Sequence, residues 1–142
     1  MHIHGASAVI DGTLKNKVCI KAVDGLITSI TLNCAETPDS SSTGTLIPGF
    51  VDIHSHGGAG FYFSDLSPEN VAAARNTHLV KGTTTHIASL VTEPIGVLEE
   101  QILRLVPMVS AGVFEGIHLE GPYLSHARCG AHEPSLLRSP SI

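Results

Sequence analysis

Two histidines two residues apart, at the end of the run PGFVDIHSHGG (Pro48 to Gly58), are the first side chains in this sequence that could do chemistry. On a β-strand, alternate residues share a face. Asp52, His54 and His56 therefore point one way, and Val51, Ile53 and Ser55 the other. Two imidazoles on one face can converge on a single divalent cation, and imidazole suits zinc and its transition-metal neighbours. Gly57-Gly58 then end the strand and leave the site open. A carboxylate is available further on. The run from Val113 to Gly121 reads as a strand with Phe114, Gly116, His118 and Glu120 on one face, Glu120 at its very end. A glutamate between Leu119 and Gly121-Pro122 needs a partner if it is buried, and a metal ion is such a partner. His118, one layer deeper, reads as a hydrogen-bonded core histidine, and His86 as a packing residue.

The same spacing occurs at His2-Ile3-His4, at the start of the sequence and without a carboxylate beside it. Two imidazoles fall short of the three protein ligands that a zinc site ordinarily has, so this pair reads as ordinary strand residues. Cys19, Cys34 and Cys129 are odd in number and widely separated, which fits neither a disulfide framework nor a CxxC knuckle. They read as three reduced thiols, as in most cytosolic proteins.

The elements that must hold these residues change character along the chain. HIHGASAVI, KVCIKAV and LITSITLN are short β-type runs separated by Asp11-Gly12 and Asp24-Gly25, which predicts a small antiparallel layer. The polar stretch Thr37 to Gly44 (TPDSSSTG) predicts a loop or boundary. From Pro48 onward strand-like and helix-like segments alternate, the signature of βαβ units on a parallel sheet. The first helix is punctuated by Ser67 as N-cap, Pro68 and a Gly82 stop. For the second, Thr92 is expected as N-cap and Gly112 as stop. Ile95, Leu98, Ile102, Leu105 and Val109 line one face of that second helix at steps of three and four. His54, His56 and Glu120 would then all sit at C-terminal strand ends, where α/β folds place their sites.

With 142 residues and 42% hydrophobic content, the chain has the means to bury a core. Its net charge of −5 is spread without a basic block, so nucleic acid is not an expected partner. No basic leader with an apolar core opens the sequence and no stretch is long and apolar enough for a bilayer, so a cytoplasmic protein with no membrane partner is expected.

PGFVDIHSHGG, GTTTH (Gly82 to His86), HLEGPYLS (His118 to Ser125) and GAH (Gly130 to His132) together give the chain a family resemblance. It resembles the N-acetylglucosamine-6-phosphate deacetylases of the amidohydrolase superfamily over nearly its whole length. PGFVDIHSH is shared across that superfamily; HLEGP followed by GAH is the discriminating pair. The fold this implies is α/β, the N-terminal part of a (β/α)8 TIM barrel preceded by strands of a small β-sandwich. Residues 1–47 would supply the sandwich strands, and residues 48–142 the first three strands and two helices of the barrel. Carried over to these positions, the resemblance makes His54, His56 and Glu120 metal ligands and His132 a substrate-contacting residue. The cofactor would be one or two divalent ions, zinc in the first instance. It places the catalytic aspartate, two more histidine ligands and the phosphate-binding residues elsewhere, so the chain alone is expected to be inactive. The implied substrate is an amino-sugar phosphate and the implied assembly a homodimer. Two alternatives stay open: an amidohydrolase acting on a cyclic amide, or a non-catalytic metal-binding fragment.

Overall fold

The computed structural model describes residues 1–141. They form two compact units, one of Met1–Pro48 and one that begins at Gly49.

In the first unit, β1 (His2–Ile10), β2 (Thr13–Val23) and β3 (Leu26–Leu32) form an antiparallel meander. The two turns have both central residues at positive φ: Asp11 at 48° and Gly12 at 70°, Asp24 at 49° and Gly25 at 79°. That is the backbone of the two-residue hairpin turn whose twist matches the strands, and Asp-Gly is its favoured sequence. The sheet is not purely antiparallel as the sequence suggests. Residues Ser40–Leu46, within and just beyond the expected loop, form β4, which pairs parallel to β1 in the order β3-β2-β1-β4. The free backbone edge of β1 recruits it, and an exposed edge strand has no need of an apolar face. Its polar residues serve the pairing: the Ser7 and Thr45 hydroxyls meet at 2.7 Å, and the Asp39 carboxylate at its entry accepts the His2 amide at 2.6 Å. Buried apolar residues here are few and small: Ala8, Val18, Cys19 and Ala22.

The reading of three free thiols is also corrected. Cys19 and Cys34 are disulfide-bonded, with Cα atoms 6.4 Å apart, and Cys129 alone is free. Asn33, at φ 55°, turns the chain back as β3 ends, and its amide bonds to the Lys17 carbonyl at 2.9 Å. That turn carries Cys34 back beside β2.

In the second unit, β5 (Phe50–Ser55) is followed by a small hairpin, β6 (Gly57–Gly58) and β7 (Phe61–Tyr62). Then come α1 (Pro68–Leu79), β8 (Thr83–Leu90), α2 (Ile95–Ser110) and β9 (Gly116–Leu119). The strands β5, β8 and β9 make a parallel sheet with β8 in the middle. Ser67 caps α1, its hydroxyl accepting the Asn70 amide at 3.3 Å, and Gly82 (φ 101°) and Gly112 (φ 71°) follow the two helices. Helix α2 differs from expectation, for it begins at Ile95 with Pro94 rather than Thr92 at the cap position. A cap at Thr92 would force Glu93 into helical geometry, which the ring of the following proline disfavours.

Phe63, Val71, Ala74, Ala88, Leu90, Leu98, Leu105 and Phe114 form the core between helices and sheet, with Ile102 and Val109 of the α2 stripe packed at its margin. Buried Arg75 ties α1 to the N-terminal ends of the strands, donating to the carbonyls of Thr83 (3.4 Å), Thr84 (3.2 Å) and Val113 (3.2 Å). That fixes the base of the sheet and leaves its opposite rim free to carry side chains. Among the described residues, no helix is long and apolar enough to cross a membrane.

Candidate metal centre

At that rim, strand geometry delivers His54 from β5, His56 just past its end, and Glu120 just past β9. The ladder runs one step beyond the last paired residues, the Glu120 amide bonding to the Leu90 carbonyl at 2.8 Å, which fixes the glutamate backbone against β8. The side chains converge. His54 Nε2 lies 3.2 Å from His56 Nε2 and 3.2 Å from Glu120 Oε2, and His56 Nε2 lies 2.9 Å from the same oxygen. His132 approaches from the loop beyond β9 and puts its Nε2 3.4 Å from the other carboxylate oxygen.

The protonation pattern follows from the outer partners. His56 Nδ1 lies 3.1 Å from the Ser89 carbonyl, which can only accept, so Nδ1 carries the proton and Nε2 presents a lone pair to the centre. His132 is the reverse. Its Nδ1 accepts the Thr92 amide at 3.3 Å, so Nε2 carries the proton and donates to Glu120. The Thr92 hydroxyl also donates to the Glu120 carbonyl at 3.0 Å. Thr92 can come this close because Gly121, at φ 92°, has no side chain; a Cβ there would overlap the threonine hydroxyl. Burial pushes the Glu120 carboxyl upward in pKa, but hydrogen bonds from His54 and His132 outweigh it and hold it below the ordinary value. A carboxylate oxygen and two imidazole nitrogens standing 2.9 to 3.2 Å from one another have ligand-to-ligand spacings suited to bonds of about 2.0–2.2 Å to one ion. The donor set fits a divalent cation.

Beneath this trio lies a support layer. Asp52 accepts the His54 amide at 3.1 Å, and its other carboxylate oxygen stands 4.0 Å from His86 Nε2. His86 is 1% exposed, meets the Ser55 hydroxyl, and packs its ring against Phe63, Phe114 and His78. Burial lowers its pKa first, Asp52 opposes this, and His78 and Arg75 lower it further, so the ring is held neutral. His118 bonds through Nδ1 to the Ser89 hydroxyl at 3.1 Å and sets its ring 5.0 Å from that of His54, a supporting position within the sheet.

Sequence reasoning passed over Ser89 and read Thr92 as a helix cap. Ser89 falls in a stretch, Ala88 to Leu90, that is buried throughout and carries no alternation to mark it as polar-facing. The Pro94 signal that disfavours Thr92 as a cap was present in the sequence, but the partner of its hydroxyl was not.

Fold and site together define a class, proteins that gather metal-ligating histidines and a carboxylate on the C-terminal rim of a parallel α/β sheet. Comparison with known proteins narrows it. No family model matches the chain. It is 31% identical over 94% of its length to an N-acetylgalactosamine-6-phosphate deacetylase of Shewanella sp. (strain ANA-3), covering 36% of that protein. It is 39% identical over 66% of its length to the N-acetylglucosamine-6-phosphate deacetylase of Bos taurus, covering 24% of it. Among solved structures, 99% of the chain superposes on 38% of N-acetyl-D-glucosamine-6-phosphate deacetylase from Mycobacterium smegmatis, with TM-score 0.90 and 36% identity. A variant of that enzyme in complex with N-acetyl-D-glucosamine-6-phosphate matches with TM-score 0.89. The chain resembles a portion of N-acetylglucosamine-6-phosphate deacetylase, and it spans little more than a third of the length of the relatives it matches most fully.

Proposed function

We propose that this chain supplies the first metal ligands and the substrate-facing loop of a metal-dependent deacetylase. The reaction is hydrolysis of N-acetylglucosamine 6-phosphate to glucosamine 6-phosphate and acetate. The observation that carries this reading is the meeting of His54, His56 and Glu120 within 3.2 Å at the rim of a parallel sheet. The likeness to deacetylases across nearly the whole chain supports it. On this reading residues 1–47 belong to a small β-sandwich, and β5, β8 and β9 are three strands of a (β/α)8 barrel whose rim carries the active site. The cation, zinc in the first instance, would when bound polarise the acetamide carbonyl and lower the pKa of water at the site.

The residues of the chain prepare that chemistry. His56 is locked in the tautomer that offers Nε2, and Glu120 is kept ionised and oriented by His132 on one oxygen. His132 sits on the loop beyond the strand end, where a sugar would arrive, and so can position both the glutamate and the substrate. Asp52 braces the His54 backbone from below and is not placed to exchange a proton with substrate. That exchange is assigned to an aspartate outside these residues, and a homodimer in the cytoplasm is the expected assembly.

The test is acetate release by the full-length gene product, assayed on N-acetylglucosamine 6-phosphate and N-acetylgalactosamine 6-phosphate, with a dihydropyrimidine as cyclic-amide control. Turnover of the glucosamine derivative is expected to be fastest. Hydrolysis of the cyclic amide alone would replace this reading by the cyclic-amide alternative.

A further inference from the structure

The histidine pair that the sequence left without partners acquires two. His4 is the register partner of Cys19 in the β1–β2 ladder, so the two side chains emerge side by side on one face. His2 is two residues back on β1 and shares that face. The turn at Asn33 then swings Cys34 over it, and His4 Nε2 comes within 2.9 Å of Cys34 Sγ, His2 Nε2 within 3.9 Å. One donor atom from each of His2, His4, Cys19 and Cys34 lies within 4.8 Å of all the others. Cys19 is buried and the other three are half-buried.

We propose that His2, His4, Cys19 and Cys34 form a second cation site, specific for zinc or another thiolate-preferring divalent ion, which loads when the Cys19–Cys34 bond is reduced. Two cysteines and two histidines are the donor set of closed, tetrahedral structural zinc sites. With bonds of about 2.3 Å to sulfur and 2.0–2.1 Å to nitrogen, tetrahedral ligands stand roughly 3.3–3.8 Å apart, so the sulfurs must separate from disulfide contact. A Cα separation of 6.4 Å lets side-chain rotation do this without moving the strands.

The chemistry balances. A dithiol reductant breaks the S–S bond, passing two electrons to the sulfurs and closing its own disulfide. The cation then displaces the two thiol protons to solvent, and the two thiolates neutralise its charge. The unit has reason to keep a cross-link in either state, because its buried apolar residues are small and few, and small scaffolds of this kind rely on a disulfide or a metal. The disulfide and the metal are alternative staples for the same sheet.

Cobalt(II) distinguishes this site from the strand-end centre, since only cysteine ligands give thiolate-to-cobalt charge-transfer absorption and His54, His56 and Glu120 offer no sulfur. Titrated anaerobically, the reduced chain is expected to develop that absorption to one equivalent, and the oxidised chain to show none. Cys129→Ser should keep the band and Cys34→Ser should lose it. A second measurement needs no variant: in the reduced chain, zinc should abolish iodoacetamide labelling of Cys34 over the time in which Cys129 is fully labelled. Absence of the band in the reduced chain, its survival in Cys34→Ser, or unchanged labelling of Cys34 under zinc would overturn the proposal. None of these outcomes bears on acetate release, so the two readings fail separately.

Discussion

His2-Ile3-His4 and His54-Ser55-His56 have the same spacing, and their ring centroids lie 4.8 and 5.2 Å apart, edge to face in both. They differ in what the fold brings to them. The first lies in a hairpin meander, where the ladder sets a cysteine 15 residues away beside His4. The second lies in a βαβ arrangement, where the neighbour is a glutamate 66 residues from His54. Thiolates with imidazoles make an electrically neutral, fully coordinated site for a zinc-like ion. One carboxylate with imidazoles on an open rim leaves coordination positions for water and substrate. Spacing fixes the face a pair occupies; topology fixes its chemistry.

The largest effect is expected from the strand-end pair. His56→Ala removes a proposed ligand and should weaken zinc binding there by more than the roughly 10–100-fold that loss of an outer-shell partner costs. Chelator competition would measure this, and the cobalt–thiolate absorption of the N-terminal site should be unchanged. Loss of both together would show that the two pairs are not independent. Gly121→Ala should destabilise the second unit by about 1–3 kcal/mol in denaturant titrations, because the new methyl overlaps Thr92 and the backbone is left-handed. Thr92→Val keeps the shape and removes one hydrogen bond to the Glu120 carbonyl, for about 1 kcal/mol. On the N-terminal side, Gly25→Ala should cost ~1 kcal/mol through its positive φ while leaving cobalt binding intact.

The smallest effect is expected in acid, at His86 beneath the strand-end pair. His86 has a folded pKa below its unfolded value of 6.5. The unfolded chain therefore binds protons first as pH falls, and the stability contributed by neutral His86 is full above 6.5 and is lost as pH falls through the lowered folded value. Thermal melts of His86→Phe should lose part of the acid sensitivity expected of the wild-type second unit below pH 6.5.

Much of this was legible because local rules governed it. The Asp-Gly turns, the Ser67 cap, the Gly82 and Gly112 stops and the α2 stripe are short-range signals, and the structure follows them. The convergence of His54, His56 and Glu120 was visible as three residues at strand ends on an alternating α/β pattern. What escaped depends on pairing across distance. β4 is polar and forms because an edge needed covering, and Cys34 reaches Cys19 through the reversal at Asn33. Thr92 illustrates a rule outranked, a good capping residue whose neighbour precedes a proline and whose hydroxyl serves a glutamate instead.

Arg75 has a consequence for how such a chain can change over generations. Its three bonds to carbonyls at the base of the sheet hold strand starts and helix together from the end opposite the rim. Substitutions of exposed residues in the loops beyond β5, β8 and β9 leave that clamp intact, so new ligands and new substrate contacts can be sampled there, outside Thr92 and Gly121, at little risk to folding. Tolerance to mutation is therefore expected to be lowest where Arg75 sits and to vary along the rim, where Thr92 and Gly121 are as constrained as any core position and their exposed neighbours are not.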